Sequence, residues 1–383
     1  MEYEPLQAPY KGILNRYWNR MPADMQSVGK DKIVTLGEGA TRLWRARRLE
    51  EYIDDTYGNF RAKVYLKLEG DNRGTGSFKD RGMTAAVTMA AAHGKKIGIC
   101  ASTGNTAAAV VAYCHAVGMR SIVIMPYGAV APGKLFQSKL HNTKAIQIRG
   151  NFDDALDIVK EVVVQNSDIE LLNSLNTYRM EGQKTASFEI VDELSLLDGP
   201  SAPHYHFIPV GNGGNITAYW KGYKEYYDGV PKRLNNLPKM MGYQAAGSAP
   251  IVLGKVVKEP KTIASAIRIG NPAKWTEAEA AIRESHGKID SVTDKEIMAA
   301  YELLPKLEPV SCEPSSATAL AGLLKAAGEP RSENYFGMGS VIVCTLTGSI
   351  FKDLKTAQKV FMKEPPIVID ASYDAVMDIV RSK

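Results

Sequence analysis

The stretch GTGSFKDRG, Gly74 to Gly82, sets one lysine among small, hydroxylated and flexible residues. Surface lysines ordinarily sit among other charges, where a strongly hydrated ammonium is at no disadvantage. Lys79 instead follows Gly-Thr-Gly-Ser-Phe and opens an Ala- and Met-rich stretch, Asp80 to His93, that reads as a helix. At a glycine-lined loop-to-helix junction, near the positive end of the helix, the ammonium form is disfavoured. Such a position suits a neutral amine that attacks carbonyls.

Beyond that helix, from about Lys95 onward, the pattern alternates. The runs KIGICA, SIVIMP, AIQIR and HFIPVG read as strands buried on both faces. Between them NTAAAVVAYCHAVG, PGKLFQSKLH and FDDALDIVKEVVVQ read as helices. This spacing predicts right-handed βαβ units and an α/β fold with open parallel sheets. PKMMGYQAAG and SVIVCTLTG read as two later strands, with TDKEIMAAYELLPK and SATALAGLLKAAG as helices near them. Lys255 to Gly287 reads as loop mixed with one charged helix. In open α/β sheets ligands bind beyond the carboxyl ends of strands. Three polar, glycine-bearing turns follow strand-like runs: ASTGNT after KIGIC, GNGGN after HFIPV, and TGS after VIVCTL. They can converge on one cleft.

Composition narrows the classes of function. The 383 residues, 45% apolar and 23% charged, are enough for two domains with proper cores. A net charge of +5 without basic-aromatic runs does not point to nucleic acid, although it suits small anionic ligands. Cys100, Cys114, Cys312 and Cys344 lack metal-type spacing and read as buried, reduced thiols, so a cytoplasmic home is expected and no metal. MEYEPLQAPY does not read as a signal peptide, and no apolar run reaches the ~18 residues of a membrane span.

GNGGN, Gly211 to Asn215, precedes the helix-like ITAYWKGYKEYY. Its glycines let backbone amides point inward as an anion nest, and the helix start adds its dipole; a plain strand-to-helix turn favours the same residues. ASTGNT places Ser102, Thr103 and Asn105 at another helix start, where capping alone would explain them. NSLNTYRMEGQKT carries Asn173, Ser174 and Arg179 in a polar loop, and its arginine is either a phosphate or carboxylate fork or a solvated side chain. Together, a reactive lysine, a phosphate nest and a second oxyanion loop describe a phosphorylated carbonyl cofactor beside an anionic substrate. Pyridoxal 5'-phosphate meets that description.

From about Leu36 to the C-terminus the chain resembles the threonine synthases, within the tryptophan-synthase-β-like fold type II of pyridoxal-phosphate enzymes. The resemblance is carried by GSFKDRGM and ASTGNTAA among other strings, although TGSFK-like and STGNT-like strings are shared by relatives such as threonine dehydratases and cysteine synthases. YRMEGQKT, NITAYWKGY and AIRIGNPA are much more specific to threonine synthases. The resemblance implies two open, mainly parallel twisted sheets with flanking helices. It divides the chain into a large cofactor-binding domain, residues 1–70 and 180–383, and a small mobile domain, residues 71–179, and it implies a homodimer. Lys79 would carry the cofactor covalently and shuttle protons, while Asn105 would hydrogen-bond its ring hydroxyl. Gly211, Asn212, Gly213, Gly214 and Asn215 would hold its phosphate. Thr347 would sit beside the pyridine nitrogen, and Phe78 would pack beside the ring or simply serve the core.

The implied reaction turns O-phospho-L-homoserine and water into L-threonine and phosphate. Ser102, Thr103, Asn173, Ser174, Arg179 and Lys67 are the candidates for the substrate's phosphate and carboxylate, with Lys67 equally readable as a salt-bridge partner. Dehydration of threonine or serine, β-replacement on O-phosphoserine, and a non-catalytic descendant are the rival readings. Three strings depart from the family's usual wording: GEGATRL for GEGNTPL, DNRGTGSFK for LNPTGSFK, and TGSIFKD for TGHGLKD. The first two are expected near the substrate. Borohydride reduction of the cofactor-loaded protein followed by peptide mapping is expected to place the pyridoxyl group on Lys79. A label on Lys67 or Lys184 would refute the assignment.

Overall fold

The computed structural model describes residues 10–102, 104–127, 143–150, 152–197, 202–229, 234, 236–329, 336–363 and 365–381. The helix expected over residues 132–141 lies outside them. Ten strands are described: β1 (Leu43–Arg45), β2 (Lys63–Leu68), β3 (Ile97–Ala101), β4 (Arg120–Pro126), β5 (Lys144–Ile148), β6 (Ile169–Leu171), β7 (Tyr205–Pro209), β8 (Lys239–Ala245), β9 (Lys288–Val292) and β10 (Val341–Leu346). They form a six-stranded sheet in the order β1-β2-β10-β7-β8-β9 and a four-stranded sheet in the order β5-β4-β3-β6. Only β1 runs antiparallel to its neighbour, so both sheets are mainly parallel, as expected. Register sets Val343 opposite Tyr65 and Cys344 opposite Phe207.

Most apolar runs fold as their periodicity predicts. β10 is buried along its whole length, and all four cysteines are free and buried. AIQIR is the exception to burial on both faces. It forms β5 at the edge of its sheet, and Ile146 stays 41% exposed. An edge strand has one neighbour and less cover, so its alternation cannot be read as a buried run.

The helix Lys79–Ala92 is packed from two sides. Met83, Ala86, Val87 and Ala90 join the core that contains Cys100, Val110 and Val123. Ala85 and Met89 join the one that contains Tyr65, Phe188 and Ile208. Its crossing with the helix Thr177–Gln183 is close because Gly82 faces Gly182. A Cβ on Gly82 would stand 3.1 Å from the Arg179 carbonyl oxygen, and one on Gly182 would collide with the Arg81 carbonyl. Lys79 and Arg179 are thereby carried on two helices in near backbone contact.

Between these glycines and the six-stranded sheet lies a buried charge network. Arg81 grips Glu69 through Nε and Nη2 at 2.7 and 2.8 Å, and Nη2 also reaches Glu189 at 2.5 Å and the Thr41 hydroxyl at 3.0 Å. Burial alone would raise the Glu189 carboxyl, but Arg81 and Lys67 outweigh it and hold Glu189 below the usual carboxylate range.

The loop Gly37–Leu43, which carries GEGATRL, wraps this network. The Gly39 N–H donates to Asn72 Oδ1 and the Ala40 N–H to Glu189 Oε1. Ala40 adopts φ 47, the left-handed region that a side chain with a Cβ disfavours. Asparagine tolerates that region better. Ala40 is exposed, so Ala40→Asn is expected to stabilise the fold by about 0.5–1 kcal/mol without altering catalysis, read from urea unfolding at fixed cofactor loading. An unchanged or lowered midpoint would show that the network, not the residue, already absorbs the strain.

Candidate active site

The carboxyl ends of strands from both sheets open into a cavity of about 470 Å³. Phe78 and Lys79 reach it from the segment after β2, Ser102 and Asn105 from the turn after β3, and Asn173, Ser174 and Arg179 from the stretch after β6. Gly211 to Asn215 enter after β7, and Thr347 after β10. The three glycine-bearing turns therefore converge, with the lysine between them. Thr103 lies outside the described residues.

Lys79 is the first residue of its helix, and the Phe78 N–H before it donates to the Thr347 carbonyl at 3.0 Å. Its Nζ lies 4.0 Å from the centre of the Phe78 ring. Loss of solvation chiefly lowers the Lys79 ammonium to about 7, with Arg179 adding to the shift and Glu313 opposing it. Near neutral pH much of this amine is in the nucleophilic form, as its sequence position predicts.

Arg179 is 2% exposed, and its backbone N–H is held by the Asn176 side chain that caps the helix. Nη1 donates to the Leu172 carbonyl at 3.2 Å, while Nε is buried without a partner. Burial lowers the guanidinium to about 10. Among the described lining residues Arg179, Lys258 and Arg268 carry positive charge, Lys79 carries it in part, and none is a carboxylate. A buried cation without a counter-ion is costly, and an anionic ligand removes that cost.

The GNGGN turn has the shape of a cradle. Gly213 adopts φ 79 at the N-cap of the helix Gly214–Asp228. Asn212 secures the turn from behind, accepting the Ala273 N–H on Oδ1 and the Lys274 N–H on its carbonyl. Both polar atoms of the Asn215 side chain are buried with no partner. Thr347 shares a 2.8 Å hydrogen bond with Ser316, whose Oγ also accepts the Gly348 N–H.

Several residues stand differently from the sequence reading. Asn173 lines the cavity, but its amide is engaged with both backbone groups of Ala101, accepting at 2.9 Å and donating at 2.8 Å. It orients the turn. Ser102 Oγ accepts the Gly104 and Ala107 N–H groups, the capping alternative, and keeps its own proton to donate. Lys67 is not among the lining residues; it donates to the Thr41 carbonyl and pairs with Glu189 and Glu193 at 3.0 Å each, its salt-bridge alternative. The GEGATRL loop is likewise absent from the lining, and of DNRGTGSFK only Phe78 and Lys79 reach it. Sequence reasoning missed Gln183, Met180, Lys258, Arg268 and, behind Asn105, Glu313. The strings YRMEGQKT, AIRIGNPA and SCEPSS held four of these five, but without a motif chemistry to single them out.

The profile of the family described as pyridoxal-phosphate dependent enzyme matches residues 34–348. The chain is 48% identical over 365 residues to a threonine synthase of Mycobacterium leprae, covering 95% of this chain and 94% of the relative. It is 46% identical to a threonine synthase of Halalkalibacterium halodurans, covering 94% of each. Among solved structures, maize serine racemase superposes with a TM-score of 0.69 at 20% identity, covering 88% of this chain and 96% of that one, which shows the shared fold. The residues present fit pyridoxal phosphate: a lysine with a substantial neutral fraction for its carbonyl, a glycine cradle beside an orphaned Asn215 amide for its phosphate, and a neutral hydroxyl at Thr347.

Two glycines of the cradle separate folding from binding. A Cβ on Gly213 would stand 2.5 Å from the Lys274 carbonyl oxygen, whereas one on Gly214 meets only Met180 Sδ at 3.9 Å. Gly214→Val is therefore expected to fold and to lose cofactor affinity by at least about tenfold in titrations of the apo-protein, and Gly213→Val to lower the melting temperature as well. A Gly214→Val protein that purifies fully yellow would place the phosphate elsewhere.

Proposed function

The chain belongs to the pyridoxal-phosphate dependent enzymes and, within them, to the threonine synthases, and from that premise we propose that it converts O-phospho-L-homoserine and water to L-threonine and phosphate. The observation that carries the substrate is Arg179, a buried guanidinium with an orphaned Nε in a cavity lined by cations. Lys79, Asn105, the Gly211–Asn215 cradle, Thr347 and Phe78 would hold the cofactor. When bound, pyridoxal phosphate supplies an electron sink for the removal of protons beside the substrate's amino group.

The protein's own groups do the rest. Lys79, whose amine is held near neutrality, takes the proton from the substrate's α-carbon and returns it later. Arg179, with Ser102, Thr103 and Ser174, holds the phosphate oxygens before and after the carbon–oxygen bond breaks. Arg179, Ser102 and Ser174 line the cavity before the reaction, so they require little reorganisation as charge develops. Asn173 fixes Ala101 and with it the Ser102 turn. Ser316 accepts the Gly348 N–H and can direct its proton to Thr347, leaving the Thr347 proton for the ring nitrogen. A neutral hydroxyl there leaves that nitrogen largely unprotonated, which places more of the proton chemistry on Lys79. Lys67 has no part in the proposed pocket.

The same reading includes a large domain of residues 1–70 and 180–383 and a small mobile domain of residues 71–179. The four-stranded sheet, all of it between residues 97 and 171, supports that division. It also includes a cytoplasmic location, supported by four buried free thiols, and a homodimer. The exposed apolar side chains of Ile367, Val368, Tyr373 and Val380 give such a dimer surface to cover. No helix among the described residues is long and apolar enough to cross a membrane.

Arg179→Lys tests the substrate. Lysine keeps the charge but loses the planar fork that engages two phosphate oxygens. The variant is expected to keep its cofactor and lose about 2–4 kcal/mol of transition-state stabilisation on phosphohomoserine, with little change in any side activity on threonine or serine. Steady-state kinetics on both substrate types, with absorbance confirming loading, decide it. Equal loss on both would assign Arg179 to the shared carboxylate and require another phosphate pocket.

A further inference from the structure

Glu313 is buried, 4% exposed, at the N-cap of the helix Pro314–Gly328, yet its side chain does not cap that helix. The carboxylate crosses to the other sheet's side of the cavity and accepts a hydrogen bond from Asn105 Nδ2 at 2.8 Å. One further contact fixes its backbone there, and Gly348 leaves it room. Its backbone N–H donates to the Gly348 carbonyl at 3.0 Å, and a Cβ on Gly348 would stand 2.6 Å from Glu313 Oε1. Only a glycine after Thr347 leaves room for the carboxylate.

The chemistry of this pair is directional. An ionised carboxylate only accepts, so the amide of Asn105 must turn its nitrogen toward Glu313. That removes the ambiguity of orientation that an isolated asparagine would have. The amide nitrogen carries a second N–H. With the first committed, the second N–H and Oδ1 remain for whatever occupies the cavity.

We propose that Glu313 is a positioning residue of the cofactor site, holding Asn105 so that a set face of its amide meets the cofactor's ring oxygen. The contact also joins the two halves of the site. Asn105 starts the helix after β3 of the four-stranded sheet, while Glu313 starts a helix that packs against the six-stranded sheet. A charge-assisted hydrogen bond between them fixes the ring-oxygen side of the cofactor relative to Thr347 on its nitrogen side. The carboxylate has a second effect at the same place, since its charge favours the protonated form of Lys79 against burial and Arg179. The inference rests on the cofactor placement given above and is independent of which amino acid is the substrate.

The test reads cofactor binding without substrate. Apo-proteins of wild type, Glu313→Ala, Asn105→Ala and the double variant are titrated with pyridoxal phosphate, and the dissociation constant and the visible absorption maximum are recorded. Glu313→Ala and Asn105→Ala are each expected to weaken binding about tenfold and to shift the visible band alike, and the double variant to be no more than about twofold weaker than Asn105→Ala. Glu313→Gln keeps an acceptor oxygen for Asn105 and is expected to bind within about threefold of wild type. If Glu313→Ala does not fold, Glu313→Asp replaces it, because a side chain one methylene shorter withdraws the carboxylate from Asn105 and should show the same loss. Losses that multiply in the double variant, or a Glu313→Ala or Glu313→Asp protein that binds like wild type, would overturn the proposal. Failure of the wild type to form threonine would instead count against the substrate and leave this coupling standing.

Discussion

The grip of Arg81 on Glu69 and Glu189 is the constraint from which the site is built. Arg81 lies two residues after Lys79 in the same helix, so fixing its guanidinium fixes the lysine's backbone. Glu69 sits at the end of β2 and Glu189 in the helix Thr185–Leu194, so one side chain ties the lysine's helix to the sheet and to a neighbouring helix. Such a buried arrangement is a weak source of net stability, because desolvation of three charges offsets much of their attraction. Breaking it is another matter. Loss of one partner leaves a buried charge uncompensated, at about 3–5 kcal/mol. The network thus acts as a positional lock, and the close passage of Gly82 over Gly182 lets the Arg179 helix share it.

Around that lock the protein divides its charges unequally. Behind the cavity, carboxylates match cations: Glu69, Glu189 and Glu193 face Arg81 and Lys67. Among the lining residues themselves there is no carboxylate, although the charge of Glu313, behind Asn105, reaches Lys79. The contrast between Lys67 and Arg179 shows what this does. Both are buried bases near the same helices, yet Lys67 has two carboxylates and a carbonyl while Arg179 has one carbonyl and a bare Nε. Burial type alone does not distinguish a structural cation from an anion receptor; its counter-ions do.

This is also where legibility in the sequence ends. Strands such as HFIPVG and SVIVCTLTG and the helix that follows Lys79 are encoded by local periodicity, and each formed where that periodicity put it. The converging turns were legible too, not from any one of them, since turns and caps favour the same residues, but from three such turns at strand ends taken together. Counter-ions are not local. Glu189 and Glu193 lie more than a hundred residues from Lys67, and no spacing announces that they meet it. The same holds for Asn173, whose amide is spent on Ala101, and for Glu313, which reads as an ordinary residue before a proline. AIQIR failed for a different reason: strand type is local, but a place at the sheet edge is decided by the neighbours. The departure at Ala40 was expected near the substrate, but its loop is absent from the cavity lining. It lies instead on the far side of the Arg81 network.

The unsatisfied polar atoms complete the argument. Native interiors pair nearly all their buried donors and acceptors, so unpaired ones that line a cavity are groups a ligand can satisfy. Here Arg179 Nε and both side-chain polar atoms of Asn215 are orphaned, and both residues line the cavity. Each orphan costs about 1–3 kcal/mol of the folded state's stability. A ligand that satisfies them binds the native form and not the unfolded chain, so its affinity and the protein's stability rise together. The site is in this sense an unfinished part of the core: fixed where Arg81 ties its helix to the sheet, and incomplete where buried polar groups have no partner.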